Sequence, residues 1–487
     1  MGQDRLCPAC KKTRLSRYNH DPLCTPCVRA SQMAPPLPEP VTLAWLWDSL
    51  PMREALARVD LAAVVAVFRA AARLSQHELA DILGWSQSSL SLIESGRRKT
   101  LYDIRELLRF TDAVDMPREA LLPLVFGQAL AALPGAWLAG VPLAGGDGLD
   151  ETDVELDRRG FATMITGAAA GAMLPELAVP AKVTASHVRY LKTCVDNLSS
   201  RDQAVGGGAL LKQAVRQWQR ARRMLDESDY TEQVGQDLLS VTGNLAVTAG
   251  WLAFDSANIS LAKHMYSESL LLAESANDPI LKARVLGQSS MLSSYLAQQN
   301  SAAGLARHGL RLADRAASVA AHEPMPRLHA LIALRRADAA ALLGDEHTFK
   351  ASIGSARDEL GRGVSDDDPA WIQFVDEFEI DGMEAIGQLE LGHYSEAVEL
   401  DRMSLAGLGG AVRNRTCTHA RLAATLALEG DTNSALDEAR AVLAVLADGV
   451  KSPRTLNKLR PVRTIAQQVK DEDFCARFDA VFEALTA

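Results

Sequence analysis

The sequence predicts an all-α fold, and three observations carry that reading. Aromatics make up only 5% of the chain while Ala and Leu dominate, and both lose little freedom on entering a helix. Residues 43–126 read as short helices with closely spaced stops. From about residue 184 to the end, long amphipathic patterns recur and no segment alternates convincingly as a strand would.

Length and composition bound the rest. At 487 residues the chain is too long for one ordinary domain, and roughly three units are expected. Hydrophobic residues at 48% and charged residues at 23% describe a soluble globular protein with ample material for a core. The charge-poor run over 161–175 is shorter than the ~20 apolar residues a bilayer requires. It lies far from the N-terminus, so Arg158-Arg159 before it does not read as an export signal. A cytoplasmic protein without membrane contact is expected. The net charge of −10 is unevenly spread: residues 1–110 hold 15 Lys+Arg against 11 Asp+Glu, leaving 36 against 50 for the remainder. A head of +4 on a body of −14 suits phosphate contact by the head, not a body that wraps nucleic acid.

Residues 1–34 form a small four-cysteine unit. Cys7-Pro8-Ala9-Cys10 and Cys24-Thr25-Pro26-Cys27 are two C-x-x-C pairs separated by 13 residues. Two thiolates at that spacing bind one metal from a tight turn. Cys7, Cys10, Cys24 and Cys27 together complete a tetrahedral, structural Zn2+ site of zinc-ribbon-like kind, with no open position for catalysis. A unit of about 30 residues cannot bury enough surface to fold unaided, so the metal would supply its folding energy. Disulfides are the alternative, and they suit a secreted protein better than a cytoplasmic one. His20 is either a substitute ligand or a surface residue. Lys11, Lys12, Arg14 and Arg17 could meet DNA backbone, or the unit could contact protein. Cys194, Cys417 and Cys475 are scattered and read as small buried side chains, with a reactive thiol as the alternative. Residues 35–42 carry Pro35-Pro36-Leu37-Pro38-Glu39-Pro40, a stiff linker that no helix crosses.

Residues 43–127 form the most informative segment. Residues 43–59, with Trp45 and Trp47, read as a helical extension covering a small core. Ser75 is a good N-cap and Glu78, three residues on, completes a capping box. The spacing predicts a helix over 76–83 that buries Leu79, Ala80 and Leu83, and Gly84 supplies a left-handed turn. Ser86 caps a second helix over 87–94 that buries Leu90 and Ile93, and Ser95-Gly96 stops it. A fourth helix over 101–110 follows Thr100, and a fifth covers 116–122. Two short helices joined by a Gly-containing turn form the unit that places its second helix in a DNA major groove.

These residues resemble the Cro/repressor-type helix-turn-helix, the XRE family. The match runs Leu74-Ser75-Gln76-x-Glu78-Leu79-Ala80, then Gly84, Ser86-Gln87-Ser88-Ser89-Leu90-Ser91 and Ile93-Glu94-Ser95-Gly96. It implies a lambda-repressor-like domain that binds double-stranded DNA. Gln87 and Ser88 would open the recognition helix behind Ser86, with Ser91 one turn later. Gln87 has the amide geometry for adenine. Gln76 resembles the family's phosphate clamp. Arg97, Arg98 and Lys99 would meet backbone phosphates, or form a solvated charge run. Arg69 and Glu94 match an ion pair that braces the family's first and third helices. Leu92 either touches a thymine methyl or packs inward, and Trp85 either flanks DNA or fills a gap between helices.

Residues 128–183 form a linker with an apolar segment, Gly-rich over 135–150, and 184–487 read as helical repeats. Small-residue motifs recur at Ala257…Ala262, Gln298…Ala303, Gly344…Phe349, Gly392…Ala397 and Gly430…Ala435. Their second anchors advance by 41, 46, 48 and 38 residues, each enough for a helical hairpin. The run Leu391-Gly392-His393-Tyr394-Ser395-Glu396-Ala397 resembles a tetratricopeptide repeat, although the steps exceed the ~34 residues of the standard unit. A C-terminal tetratricopeptide-like α-solenoid is expected, with an irregular bundle as the alternative. Gly206-Gly207-Gly208 lacks the Lys-Ser/Thr of a phosphate loop and reads as a turn. Arg335, Arg336, Arg413 and Arg415 read as ordinary surface charge, or else as a grip for an acidic group.

The order of zinc unit, helix-turn-helix and repeats is similar to a group of actinobacterial transcriptional regulators. More distantly, it is similar to peptide-sensing regulators with tetratricopeptide repeats. The resemblance implies a homodimer on a near-palindromic site and a peptide, small-molecule or protein ligand of the repeats. No nucleophile, base or open metal constellation appears, so no enzyme is expected. A scaffold whose head does not act on DNA is the alternative.

Overall fold

The computed structural model describes residues 5–6, 14–15, 46–47, 49–114, 116, 118–121, 124, 179–365, 368–408 and 411–486. The chain divides into two compact units, Met1–Val41 and Thr42–Ala487. In the first, β1 (Arg5–Leu6) and β2 (Arg14–Leu15) pair antiparallel, Arg5 opposite Leu15 and Leu6 opposite Arg14. This ladder brackets Cys7 and Cys10, although the four candidate zinc ligands lie outside the described residues. The linker over 128–178 lies outside them as well.

The second unit opens with a head of α1 (Leu50–Ala57), α2 (Leu61–Ala71), α3 (Gln76–Leu83), α4 (Gln87–Glu94) and α5 (Ile104–Ala113). The extension expected over 43–59 is broken: Leu46 and Trp47 are helical, and α1 restarts after Ser49 with Pro51 in its first turn. Proline is tolerated there because those amide groups have no helical partner. The helix expected over 101–110 is displaced in the same way. Thr100–Tyr102 form a 3₁₀ turn, Asp103 is extended, and α5 begins after it. The fifth helix shrinks to a 3₁₀ turn over Arg118–Leu121. Phe68 and Phe110 are fully buried at the centre of the head. Trp47 stacks on Phe68 at 5.5 Å between centroids, and Phe110 meets it edge-on at 6.0 Å.

The body begins with α6 (Ala185–Val205) and α7 (Gly207–Glu227). Helical hairpins follow: α8 (Glu232–Asp255) with α9 (Ile259–Ser275), α10 (Pro279–Asn300) with α11 (Ala303–Ala320), and α12 (Pro326–Ala341) with α13 (Glu346–Gly361). Next come α14 (Glu377–Glu390) with α15 (Tyr394–Gly407) and α16 (Val412–Glu429) with α17 (Thr432–Asp448). Three helices, α18 (Pro453–Lys458), α19 (Arg460–Gln468) and α20 (Glu472–Thr486), cap the C-terminal end.

The recurrent small residues now have a cause. Ala257, Ser301, Gly344, Gly392 and Gly430 each take a positive φ between the helices of a pair. At three of these turns an Asn or Asp follows directly and caps the next helix: Asn258, Asp345 and Asp431 accept from the amides of Leu261, Thr348 and Ser434. The second anchors Ala262, Phe349, Ala397 and Ala435 are fully buried, whereas the expected copy Gln298…Ala303 is out of register: Ser301 takes the turn, Ala303 is exposed and Ala306 is the buried residue. The first step, 41 residues, spans α9 and α10, which are 17 and 22 residues long. No described helix is long and apolar enough to cross a membrane.

Stacked repeats ordinarily touch only their neighbours, but here the last hairpins return to the first helices. The Lys451 amide donates to the Val205 carbonyl at 2.9 Å, and the Gly208 amide to the Lys451 carbonyl at 3.0 Å. Asp202 on α6 accepts from Arg413 on α16 and from the Trp251 indole at 2.6 Å. Asp255 accepts from Ser452 at 2.9 Å, Arg454 at 3.0 Å and the Gly207 amide at 2.9 Å. The Gly206-Gly207-Gly208 turn is therefore the joint of this closure. A Cβ on Gly207 would lie 2.4 Å from the Leu252 carbonyl oxygen.

Gly207→Ala should thus lower stability by about 1–3 kcal/mol through overpacking, read as a lower Tm. Gly304→Ala, on a helix with nothing within 4 Å of the added methyl, should leave Tm unchanged or raised by helix propensity, worth up to ~1 kcal/mol. Asp255→Ala leaves Arg454 buried without its carboxylate and should cost about 3–5 kcal/mol. An equal Tm for the Gly207→Ala and Gly304→Ala proteins would rule out tight contact at the joint.

Candidate nucleic-acid interface and repeat chamber

The helix-turn-helix is built by local chemistry. The Ser75 hydroxyl accepts from the Glu78 amide at 3.2 Å, and the Glu78 carboxylate accepts from the Ser75 amide at 2.8 Å. Gly84 closes α3 at φ +67°, and the Ser86 hydroxyl caps α4 by accepting from the Ser89 amide at 3.1 Å. Leu79, Ala80, Leu90 and Ile93 are buried, as is Ile82, while Leu83 is only half-buried. Trp85 packs against the head core, and Leu92 is 41% exposed. Of the two side chains that the sequence left open, Trp85 therefore packs inward and Leu92 faces out.

The N-terminal half of α4 faces outward. Ser86, Gln87 and Ser88 are exposed and Ser91 is half-buried. A polar chain fixes this face from behind. Arg69 Nε donates to Glu94 at 2.6 Å, Gln76 Nε2 donates to Glu94 at 2.7 Å, and Gln87 Nε2 donates to Gln76 Oε1 at 3.0 Å. The expected Arg69–Glu94 brace is present, and it also orients both glutamines. Just past α4, Arg97, Arg98 and Lys99 are exposed. Arg98 donates to the Ser89 hydroxyl at 2.8 Å, and the Lys99 ammonium sits 5.7 Å from the Tyr102 ring centroid. Gln87 and the three cations are thus all exposed, and Arg98 reaches back to α4 through Ser89.

The body docks on a different side of α3. Glu78 pairs with Arg189, and Asp81 accepts from the Thr184 hydroxyl at 2.6 Å. Helical spacing puts Glu78 and Asp81 on the face away from Gln76. Tyr190 and Cys194 of α6 join the head core, where the Tyr190 hydroxyl donates to the Val114 carbonyl at 3.1 Å. Burial lowers the pKa of His187, beside this contact. No local pattern announces this docking, because its partners lie across the linker.

Closure of the body forms a partly open chamber of about 220 Å³. Its wall is made mainly by α6 and the first helices of the pairs, with α18 and the connection before α14, and carries Asp202, Arg284, Arg335, Glu379, Arg413 and Arg454. Surface charge is therefore the wrong reading for Arg335 and Arg413, which are 5% and 6% exposed. It holds for Arg336, exposed and paired with Asp314 at 3.1 Å. Burial pushes Arg284 down to about 9 and Glu379 up to about 7. It also raises Asp338. Burial pushes the Cys417 thiol up, but Arg454, Lys458, Arg413 and Arg421 outweigh it and hold its pKa below the usual value. Neither the chamber nor its thiol is visible in the sequence, since its residues span some 250 positions. Among the described residues no group of His, Cys, Asp and Glu is arranged to hold a metal ion.

Residues 60–124 match the model of a helix-turn-helix domain, a span that holds α2 to α5 and both glutamines. No curated protein matches the chain significantly. Among solved structures, one similar to this chain is a signal-transduction ATPase with numerous domains and a tetratricopeptide-repeat sensor, from Pyrococcus horikoshii. The identity is 13% and the TM-score 0.36, with 87% of this chain and 65% of that one covered. The chain carries a helix-turn-helix domain on a body of helical hairpins.

Proposed function

We propose that this protein is a sequence-specific, DNA-binding transcriptional regulator of the XRE kind, acting in the cytoplasm as a homodimer and without catalysis. The observation that carries the reading is the outward face of α4. Gln87 is exposed there and held by Gln76, and the body occupies the far side of α3. In this reading Gln87, Ser88 and Ser91 meet base edges, with Ser86 at the helix start. Gln76, Arg97, Arg98 and Lys99 contact backbone phosphates. The helical body senses a ligand and sets the spacing of two heads.

The N-terminal unit holds a structural zinc in this reading. In sequence Cys7 and Cys10 fall between the paired strands β1 and β2, and the C-x-x-C spacing lets two thiolates reach one ion. Cys24 and Cys27 would complete the four-sulfur set, and the metal would contribute folding energy to that unit alone.

Purified full-length protein incubated with fragmented genomic DNA of its source, at fixed physiological salt, should enrich a short motif with two half-sites. Gln87→Ala should cost ~1–3 kcal/mol at the preferred site and relax one base position. Arg98→Ala should weaken all sequences similarly and reduce the salt slope by ~1. No enrichment at any salt would favour a protein-interaction scaffold and sink the regulator reading. Metal analysis should find one zinc per chain, lost on replacing Cys7 and Cys24 with Ser; a metal content unmoved by that change would reject the four-cysteine site.

A further inference from the structure

The charges in the chamber are only partly matched. Arg413, Arg421 and Arg454 close on Asp202, Asp401 and Asp255. Arg284 and Arg335, 6% and 5% exposed, are in no ion pair among the described residues, and the Nε of each lacks a hydrogen-bond partner. Arg284 donates to Asn244 at 2.7 Å and Thr248 at 3.1 Å, and its guanidinium lies 4.4 Å from the Trp371 ring centroid. Arg335 reaches the Met383 sulfur at 3.8 Å. Asp338 and Glu379 line the same cavity, and no described cation is within ion-pair distance of either.

Buried charge without a partner is costly. The direct remedy, an Arg–carboxylate pair like the three beside it, is not taken. Guanidiniums and carboxyls instead stand unjoined around one cavity. Such an arrangement complements a molecule that bears both signs of charge, and a partly open chamber of about 220 Å³ has room for a small one.

We propose that the chamber binds a small zwitterion, its anionic group held by Arg284 and Arg335 and its cationic nitrogen by Asp338 and Glu379. Trp371 supplies an aromatic wall beside the anion. The proposal rests on the reading of the body as a sensor and names the chemistry it senses.

The test uses the full chain, with thermal shift and calorimetry against the standard amino acids and a set of dipeptides. Acetate, inorganic phosphate and methylammonium serve as singly functional probes. At least one zwitterion should raise Tm and bind ~100-fold more tightly than any single-charge probe, as two charged contacts would give. Arg335→Gln and Glu379→Gln should each cut that affinity by at least ~10-fold. Arg335→Lys, which keeps the charge, should retain part of it if Arg335→Gln fails to fold. In the wild-type protein the bound zwitterion should slow iodoacetamide alkylation of Cys417, followed by peptide mass spectrometry. The proposal is overturned if no zwitterion in the set binds, if Arg335→Gln and Glu379→Gln bind as wild type, or if phosphate binds as tightly as the best zwitterion. DNA enrichment by the same preparation separates the two readings. A DNA motif without ligand binding fails the zwitterion alone, and ligand binding without a motif fails the regulator alone.

Discussion

Two buried carboxylates, Asp202 and Asp255, hold the body in its closed form. Each would be prohibitive to bury alone, and each is met by a guanidinium and further donors drawn from far along the chain. Such pairs add little net stability, because desolvation consumes most of the attraction. Their effect is on choice of structure. Asp202 and Arg413 are 211 residues apart, so any other register of the stack would leave bare charge inside. A solenoid held by neighbour contacts alone is free to coil or uncoil by small steps. Here the first and last helices are also joined to each other, which sets the circumference of the ring that lines the chamber. The glycines at 206–208 are the steric counterpart: only a backbone without side chains approaches Leu252 and Lys451 so closely.

The same constraint reaches the DNA-facing head through α6. That helix carries Tyr190 and Cys194 into the head core, Arg189 to Glu78 of the helix-turn-helix, and Asp202 to the closing cluster. At 21 residues it is about 30 Å long, and it is a rigid element that touches both the head and the chamber wall. Coupling between chamber and head would need two arrangements of this element that a ligand binds unequally. Continuous packing of head on α6 means such a change would move the head as a body, leaving the bonded glutamines of α3 and α4 in place.

What the sequence made legible follows the range of the interactions concerned. The capping box at Ser75 and Glu78, the left-handed Gly84 and the cap at Ser86 are decided within four residues, and α3 and α4 begin and end where those signals put them. Four of the five repeat anchors were readable for the same reason, a positive-φ turn followed by a buried residue, while the Gln298…Ala303 copy was out of register because the turn falls at Ser301 and Ala303 is exposed. The errors also have local causes. Pro51 and Asp103 split helices that an apolar pattern had joined. Arg335 and Arg413 looked like surface charge, because nothing within a helical turn reveals that the surface they occupy faces inward. Closure is decided by contacts some 200 residues apart, and no periodicity reports it.

Charge distribution bears on the proposed pairing of two heads. The acidic body, at −14 beyond residue 110, would be repelled by a phosphate backbone. Docking on the face of α3 opposite Gln76 keeps that charge off the exposed surface of α4. Beside α4 the described residues that would attract DNA are few: Arg97, Arg98 and Lys99, plus amide and hydroxyl groups that carry no net charge. Each neutralised phosphate contributes through counterion release, and a few per head give weak binding at physiological salt. The hydroxyls of Ser88 and Ser91 accept several bases and discriminate weakly, so one head offers little specificity beyond Gln87. Two heads at a fixed spacing double the phosphate contacts and make the separation of half-sites itself a source of selectivity. A rigid, closed body is well suited to hold that spacing, which ties the geometry of the chamber to the demands of the DNA.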